Sequence, residues 1–171
     1  MAIAAQICGL SDSAGLDAAL RHGARMVGFV SFPKSPRHVV AEQARGLVAR
    51  VPDDVDRVGV MVDPDDGALE AFIPAARLSI VQLHGHETPA RVAAIRERHG
   101  VKVMKVIRVA EAADLDAVAD YEPVADYLMF DAKPPREATR PGGNAVAYRR
   151  AARRRSPQGA GKPGSTGETG G

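Results

Sequence analysis

One pattern governs what this chain can fold into. Between residues 3 and about 133 a short apolar or β-branched run, a polar break and a helical stretch follow one another six times. The apolar runs read as strands at 3–8, 26–30, 57–62, 79–83, 101–109 and 126–130. Helices follow most of them. The first is capped by Ser11 or Asp12 and stops at Gly23, and the second spans 41–51 and stops at Pro52. The third follows Pro64 and is ended or kinked by Pro74. The fourth opens on Thr88-Pro89 and stops at His99-Gly100, and the fifth covers 112–119. Near-continuous apolar strands separated by helices predict a parallel sheet covered by helices. The pattern leaves two closures open, a doubly wound sheet or a (β/α) barrel. A full barrel needs eight strands, and six are visible.

In either closure the strand C-termini converge on one face, where α/β proteins place their chemistry. Those ends carry Cys8, Arg37, Asp63, His84, Arg108 and Asp131. Cys8 is the only cysteine; a lone thiol is ordinarily a small buried hydrophobe, but one at a strand end can serve as a base. A carboxyl such as Asp131 across the site would be its acid partner. Arg37 follows Pro33 and Pro36, which stiffen its loop, and its fork suits a carboxylate or phosphate. No His and Cys spacing fits a metal, and no glycine-rich nucleotide fingerprint is present.

Composition excludes several classes. Lys+Arg 23 against Asp+Glu 21 leaves a net charge of +2, too little to steer a strongly charged partner. Aromatics make up 4% and Trp is absent, which argues against a stacking platform for nucleic acid. One cysteine excludes an internal disulfide framework and fits the cytoplasm. No apolar run reaches membrane-spanning length, and the N-terminus has no basic leader. From Tyr148 the composition turns to Arg, Gly, Pro and Ser, which predicts a disordered basic tail over 148–171 behind a domain at 1–147.

Several blocks together resemble phosphoribosylanthranilate isomerase, a (β/α)8 TIM-barrel enzyme of tryptophan biosynthesis. They are Gln6-Ile7-Cys8-Gly9-Leu10, Gly28-Phe29-Val30, Phe32-Pro33-Lys34-Ser35-Pro36-Arg37, Val58-Gly59-Val60, Val81-Gln82-Leu83-His84-Gly85, Phe130-Asp131-Ala132-Lys133 and Pro141-Gly142-Gly143-Asn144. The resemblance implies an incomplete barrel of about six β/α units that carries out an Amadori rearrangement of an aminated sugar phosphate without a cofactor. Cys8 would be the general base and Asp131 the general acid, while Arg37, His84, Gly142 and Gly143 would bind substrate. Expected partners are a small-molecule sugar phosphate and no nucleic acid or membrane, in a monomer or homo-oligomer.

The chain departs from the family twice. Gln6 stands where the family usually has Lys, which implies a weaker thiol base. After Asn144 the family continues into strands seven and eight with their phosphate-binding loops, whereas this chain enters the Arg-rich tail. Such a shift is what an out-of-frame or truncated continuation looks like, and implies weak activity or none. The alternatives are an inactive product of the same family, a related sugar-phosphate isomerase barrel that uses paired aspartates, and a basic-tailed binding module.

Overall fold

The computed structural model describes residues 4–132. Six parallel strands form one sheet in chain order: β1 Gln6–Cys8, β2 Met26–Ser31, β3 Asp56–Met61, β4 Ile80–Leu83, β5 Lys102–Val109 and β6 Tyr127–Ala132. The order decides between the two closures. A doubly wound sheet reverses direction at a switch point, whereas this one never does.

The sheet also curls. Gln82 Nε2 on β4 lies within 3.4 Å of Gln6 Oε1 on β1 and of Met129 Sδ on β6. Strands three apart in a flat sheet would stand about 14 Å from one another. The contact between β1 and β4 is possible only when the sheet curls so that these strands face each other across the inside of an arc, and Met129 on β6 joins them there. The fold is thus a (β/α) half-barrel of the TIM type.

Period-two alternation sorts side chains to two sides of that arc. Val30, Val58, Val60, Ile80 and Met104 point inward and pack with Met26, Phe32 and Met129. Val27, Phe29, Met61, Val81, Leu83 and Val103 point outward to the helices. The covering helices are α1 Ser13–Arg21, α2 Ala41–Val48, α3 Asp66–Ala75 and α4 Pro89–His99. Their apolar stripes supply Leu16 and Ala19, Ala44 and Leu47, Leu69 and Phe72, and Val92 and Ile95. Three of the four open on a side-chain cap: Asp12 accepts from Gly15 N–H, Asp65 from Ala68 N–H and Thr88 from Arg91 N–H.

Several predicted boundaries move. The first strand is confined to Gln6–Cys8 among the described residues. The second helix ends at Val48, because Arg50 and Val51 donate to Leu47 and Val48 in tightened three-residue turns before Pro52. Pro74 lies inside the last turn of α3, which closes one residue later. The single helix expected over 112–119 is a 3₁₀ helix, Ala112–Ala117, followed by the one-turn α5, Val118–Tyr121. Neither buries a residue, so little packing is available to enforce a regular α-helix. The sixth strand runs to Ala132, so Asp131 lies within it rather than after it.

Among the described residues β1 and β6 are each paired on one side only, and Ile7 and Phe130 on them are 42% and 55% exposed. Among the described residues no helix is long and apolar enough to cross a membrane. The readings for Gly142 and Gly143 and for the tail at 148–171 fall outside the described residues.

The layer between sheet and helices should dominate stability. Leu69 is fully buried there. Leu69→Ala should lower the unfolding free energy by about 2–5 kcal/mol, read by urea denaturation.

Candidate active site

Cys8 closes β1 and its neighbour Gly9 takes φ +82°. A left-handed backbone there suits glycine alone among common residues. Glycine also makes room: a Cβ at Gly9 would stand 2.6 Å from Arg37 Cδ and 2.7 Å from Nη1. The Arg37 side chain therefore lies across Gly9, and Nη1 reaches to 3.5 Å from the Cys8 carbonyl oxygen. The loop that delivers it is tied down from within. His38 Nδ1 accepts from Phe32 N–H at 3.0 Å, Ser35 Oγ accepts from Arg37 N–H at 3.2 Å, and Val39 N–H donates to Val30 O at 2.9 Å.

The cation beside Cys8 is Arg37, not a residue at position 6. Gln6 instead reaches inward toward Gln82. Cys8 is exposed, which overturns the reading of a small buried hydrophobe. Surrounding protein nevertheless pushes its thiol above the ordinary range, and Arg37 draws it back by less. Because the side chain is open to water, both effects are damped.

The opposite flank of the arc holds His84, Arg108 and Asp131. Arg108 on β5 and Asp131 on β6 are register partners. His84 follows β4, and its Nε2 pairs with Gln82 Oε1 at 3.0 Å. Gln82 is itself buried, with Nε2 2.9 Å from Met104 Sδ. Arg108 Nη2 donates to the His84 carbonyl. Burial holds the His84 imidazole below its ordinary range; Asp131 pulls it back up, while Arg108 and Lys105 push it down.

Of the sequence candidates, Cys8 with Arg37 form one group and His84, Arg108 and Asp131 another. They stand on opposite sides of the half-barrel, with Gln6 and Gln82 bridging the floor between them. Asp63 belongs to neither. Its φ of +45° turns its carboxylate to the His86 N–H at 2.5 Å, so it braces a loop. Reasoning from strand ends missed Gln82 and His38. Gln82 could have been found as the one polar side chain within an apolar strand, whereas His38 carries no such signal. Among the described residues no three His, Cys, Asp or Glu side chains gather as a metal-ligand set.

Comparison with known proteins gives one answer. A family model described as N-(5'-phosphoribosyl)anthranilate (PRA) isomerase matches residues 5–149. The N-(5'-phosphoribosyl)anthranilate isomerase of Paracoccus denitrificans is 55% identical over 148 residues, covering 86% of this chain and 69% of that protein. The corresponding protein of Paramagnetospirillum magneticum is 52% identical over the same shares. Among solved structures, phosphoribosyl anthranilate isomerase of Thermotoga maritima superposes with a TM-score of 0.72 at 30% identity, over 79% of this chain and 64% of that one. A further one, in complex with reduced 1-(o-carboxyphenylamino)-1-deoxyribulose 5-phosphate, gives 0.71 at 30% identity, over 77% and 66%. The chain thus spans about two thirds of the length of the relatives it matches.

Two measurements probe these electrostatics. Burial holds the His84 imidazole below its ordinary range in the folded state, whereas the unfolded chain takes up the proton near its ordinary pKa of about 6.5. The unfolded state then binds more protons below that point, so this contribution to stability is present above about 6.5 and is lost as pH falls below it. The difference between the parent and His84→Gln isolates this contribution in urea titrations. For Cys8, the pH midpoint of alkylation by iodoacetamide should lie above that of a free cysteine thiol, and Arg37→Gln should raise it further.

Proposed function

The chain belongs to the N-(5'-phosphoribosyl)anthranilate isomerase family, and from that premise we propose that it rearranges N-(5-phosphoribosyl)anthranilate to 1-(2-carboxyphenylamino)-1-deoxyribulose 5-phosphate in tryptophan biosynthesis. Asp131 acts as general acid and protonates the furanose ring oxygen, so that the ring opens to a Schiff base. Cys8, as thiolate, then removes the proton from C2′. The electrons pass to the iminium nitrogen, and the resulting enolamine tautomerises to the ketone. The substrate's own nitrogen is the electron sink, so no cofactor is called for. Arg37 holds the anthranilate carboxylate, and His84, Gly142 and Gly143 complete the substrate contacts.

The observation that carries this reading is the seat of Arg37 across Gly9, with Nη1 3.5 Å from the Cys8 carbonyl oxygen. It supports a carboxylate-binding role for Arg37 near Cys8, because a base acts only on a proton held within reach. The grouping of His84 and Arg108 beside Asp131 supports an acid on the facing side. A cytoplasmic location agrees with a single unpaired thiol. Both a monomer and a homo-oligomer accord with the family, since the Thermotoga maritima relative is known as a dimer and as monomers generated from it.

The test is turnover of N-(5-phosphoribosyl)anthranilate by the purified chain, alongside rescue of a tryptophan auxotroph lacking this isomerase. Cys8→Ala and Asp131→Asn should each lower kcat by about 10²–10⁴-fold, whereas Arg37→Gln should act mainly on KM. A Cys8→Ala variant with undiminished kcat would overturn the reading, and a parent chain without turnover would decide for the alternative, an inactive product of the same family.

A further inference from the structure

Behind the sheet, on its helix side, Lys105 and Glu87 form an ion pair of 2.7 Å with side chains only 4% and 2% exposed. A buried pair is an expensive feature, and apolar residues of similar volume often give equal or greater stability. Its bonds indicate what it does instead. Lys105 Nζ donates to Gly85 O at 2.9 Å and to Leu83 O at 3.4 Å. Glu87 Oε1 accepts from Gly85 N–H at 3.0 Å and from Asp63 N–H at 2.9 Å. The Glu87 carbonyl accepts from Tyr121 O–H at 2.8 Å, and Lys105 Nζ lies 5.7 Å from the Tyr121 ring centre.

Residues 84–86 belong to no helix or strand. Their backbone groups nevertheless find partners almost throughout. His84 N–H donates to Met61 O, His84 O accepts from Arg108, Gly85 pairs at both ends with the buried ion pair, and His86 N–H donates to Asp63. Gly85 is also pressed against the neighbouring loop, where a Cβ would stand 2.2 Å from Asp63 Oδ1 and 2.6 Å from Asp63 N. A segment without regular structure is thus held by charged side chains from other elements. The residue it carries is His84, which continues the inward alternation of Gln82.

We infer that the Lys105–Glu87 pair is a positioning device: it clamps the turn at residues 84–86 between the ends of β3 and β5 and so fixes the His84 imidazole at the mouth of the half-barrel. Lys105 and Glu87 are positioning residues that touch no substrate. The inference rests on the reading of His84 as a substrate contact. It also explains why an ion pair is kept where packing alone would favour apolar groups. An apolar pair fills the same volume but cannot bond Gly85 N–H, Gly85 O and Asp63 N–H.

The test uses the full chain, isotope-labelled for NMR, as parent, Lys105→Met/Glu87→Leu and Glu87→Gln, with Ile95→Val as a control that loosens the same helix layer. In the double variant the Gly85 and Asp63 amides should exchange at least about tenfold faster, while amides of β4 keep their protection. The His84 ring should titrate closer to an ordinary imidazole as its surroundings open to water. Ile95→Val should lower stability without moving His84. The groups facing His84 are Asp131, Arg108, Lys105 and Glu87, so the loss of one cation and one anion together leaves their net charge unaltered and isolates the change in burial. A folded double variant with unchanged Gly85 exchange and unchanged His84 titration would overturn the inference, as would an equal His84 shift in Ile95→Val. Should the double variant fail to fold, isosteric Glu87→Gln decides on the exchange of the Gly85 and Asp63 amides alone, because loss of the Glu87 charge by itself moves the His84 titration down. Titration of the parent with reduced 1-(o-carboxyphenylamino)-1-deoxyribulose 5-phosphate, which spans both flanks, separates the two readings: a His84 signal that ignores it counts against the proposed function and leaves the clamp result standing.

Discussion

Everything in this molecule depends on a parallel sheet that keeps chain order while it curls. Each strand is joined to the next by a crossover that packs on the outside, so the helices share one convex layer and the inner face is left to side chains alone. The inner layer is thin and mixed: Val30, Val58, Val60, Ile80 and Met104 provide the apolar fill, and Gln82 crosses it. A valine or isoleucine at position 82 would fill the space, but it would leave Gln6 and His84 without their partner. The polar floor of the site is therefore continuous with the core that shapes the arc.

The outer layer deals with charge in two different ways. Between α3 and α4, Arg91 and Arg98 pair with Asp66 and Glu70 in partly exposed bridges. Pairs of this kind contribute little in water, because solvent already screens them. Lys105 and Glu87 sit under the same helices but out of water, and each makes bonds to backbone that nothing else satisfies. The first set accompanies the fold; the second shapes a loop of the site.

At the strand ends, cations outnumber what the local carboxylates neutralise. Arg37 has no acidic side chain within ion-pair distance among the described residues, and Arg108 is committed only to a carbonyl oxygen. The same arrangement explains why the His84 imidazole is held below its ordinary range: it is half-buried and flanked by two cations and two carboxylates that act in opposite directions, which leaves burial to prevail.

Local features of this protein were legible in the sequence because they depend on neighbours a few residues away. The six strand cores, the Asp12 and Thr88 caps, the stop at Gly100 and the gathering of Cys8, Arg37, His84 and Asp131 at strand ends all follow from periodicity and turn chemistry. Boundaries were legible only where a strong signal stood beside them. The weak helical stretch after residue 111 lacks buried side chains and resolves into a 3₁₀ helix with one α-turn. The blocks around Cys8, Arg37 and His84 also carried the family, since their residue types and order are far more specific than any periodicity. The curl of the sheet was implied by the family resemblance, although periodicity left it open. What tertiary structure alone decided is that Arg37 rather than residue 6 supplies the cation beside Cys8, and that Lys105 and Glu87 meet out of water. Each of these depends on residues far apart in the chain brought into contact, and on the exclusion of water once they meet. Neither is encoded in any short window of sequence.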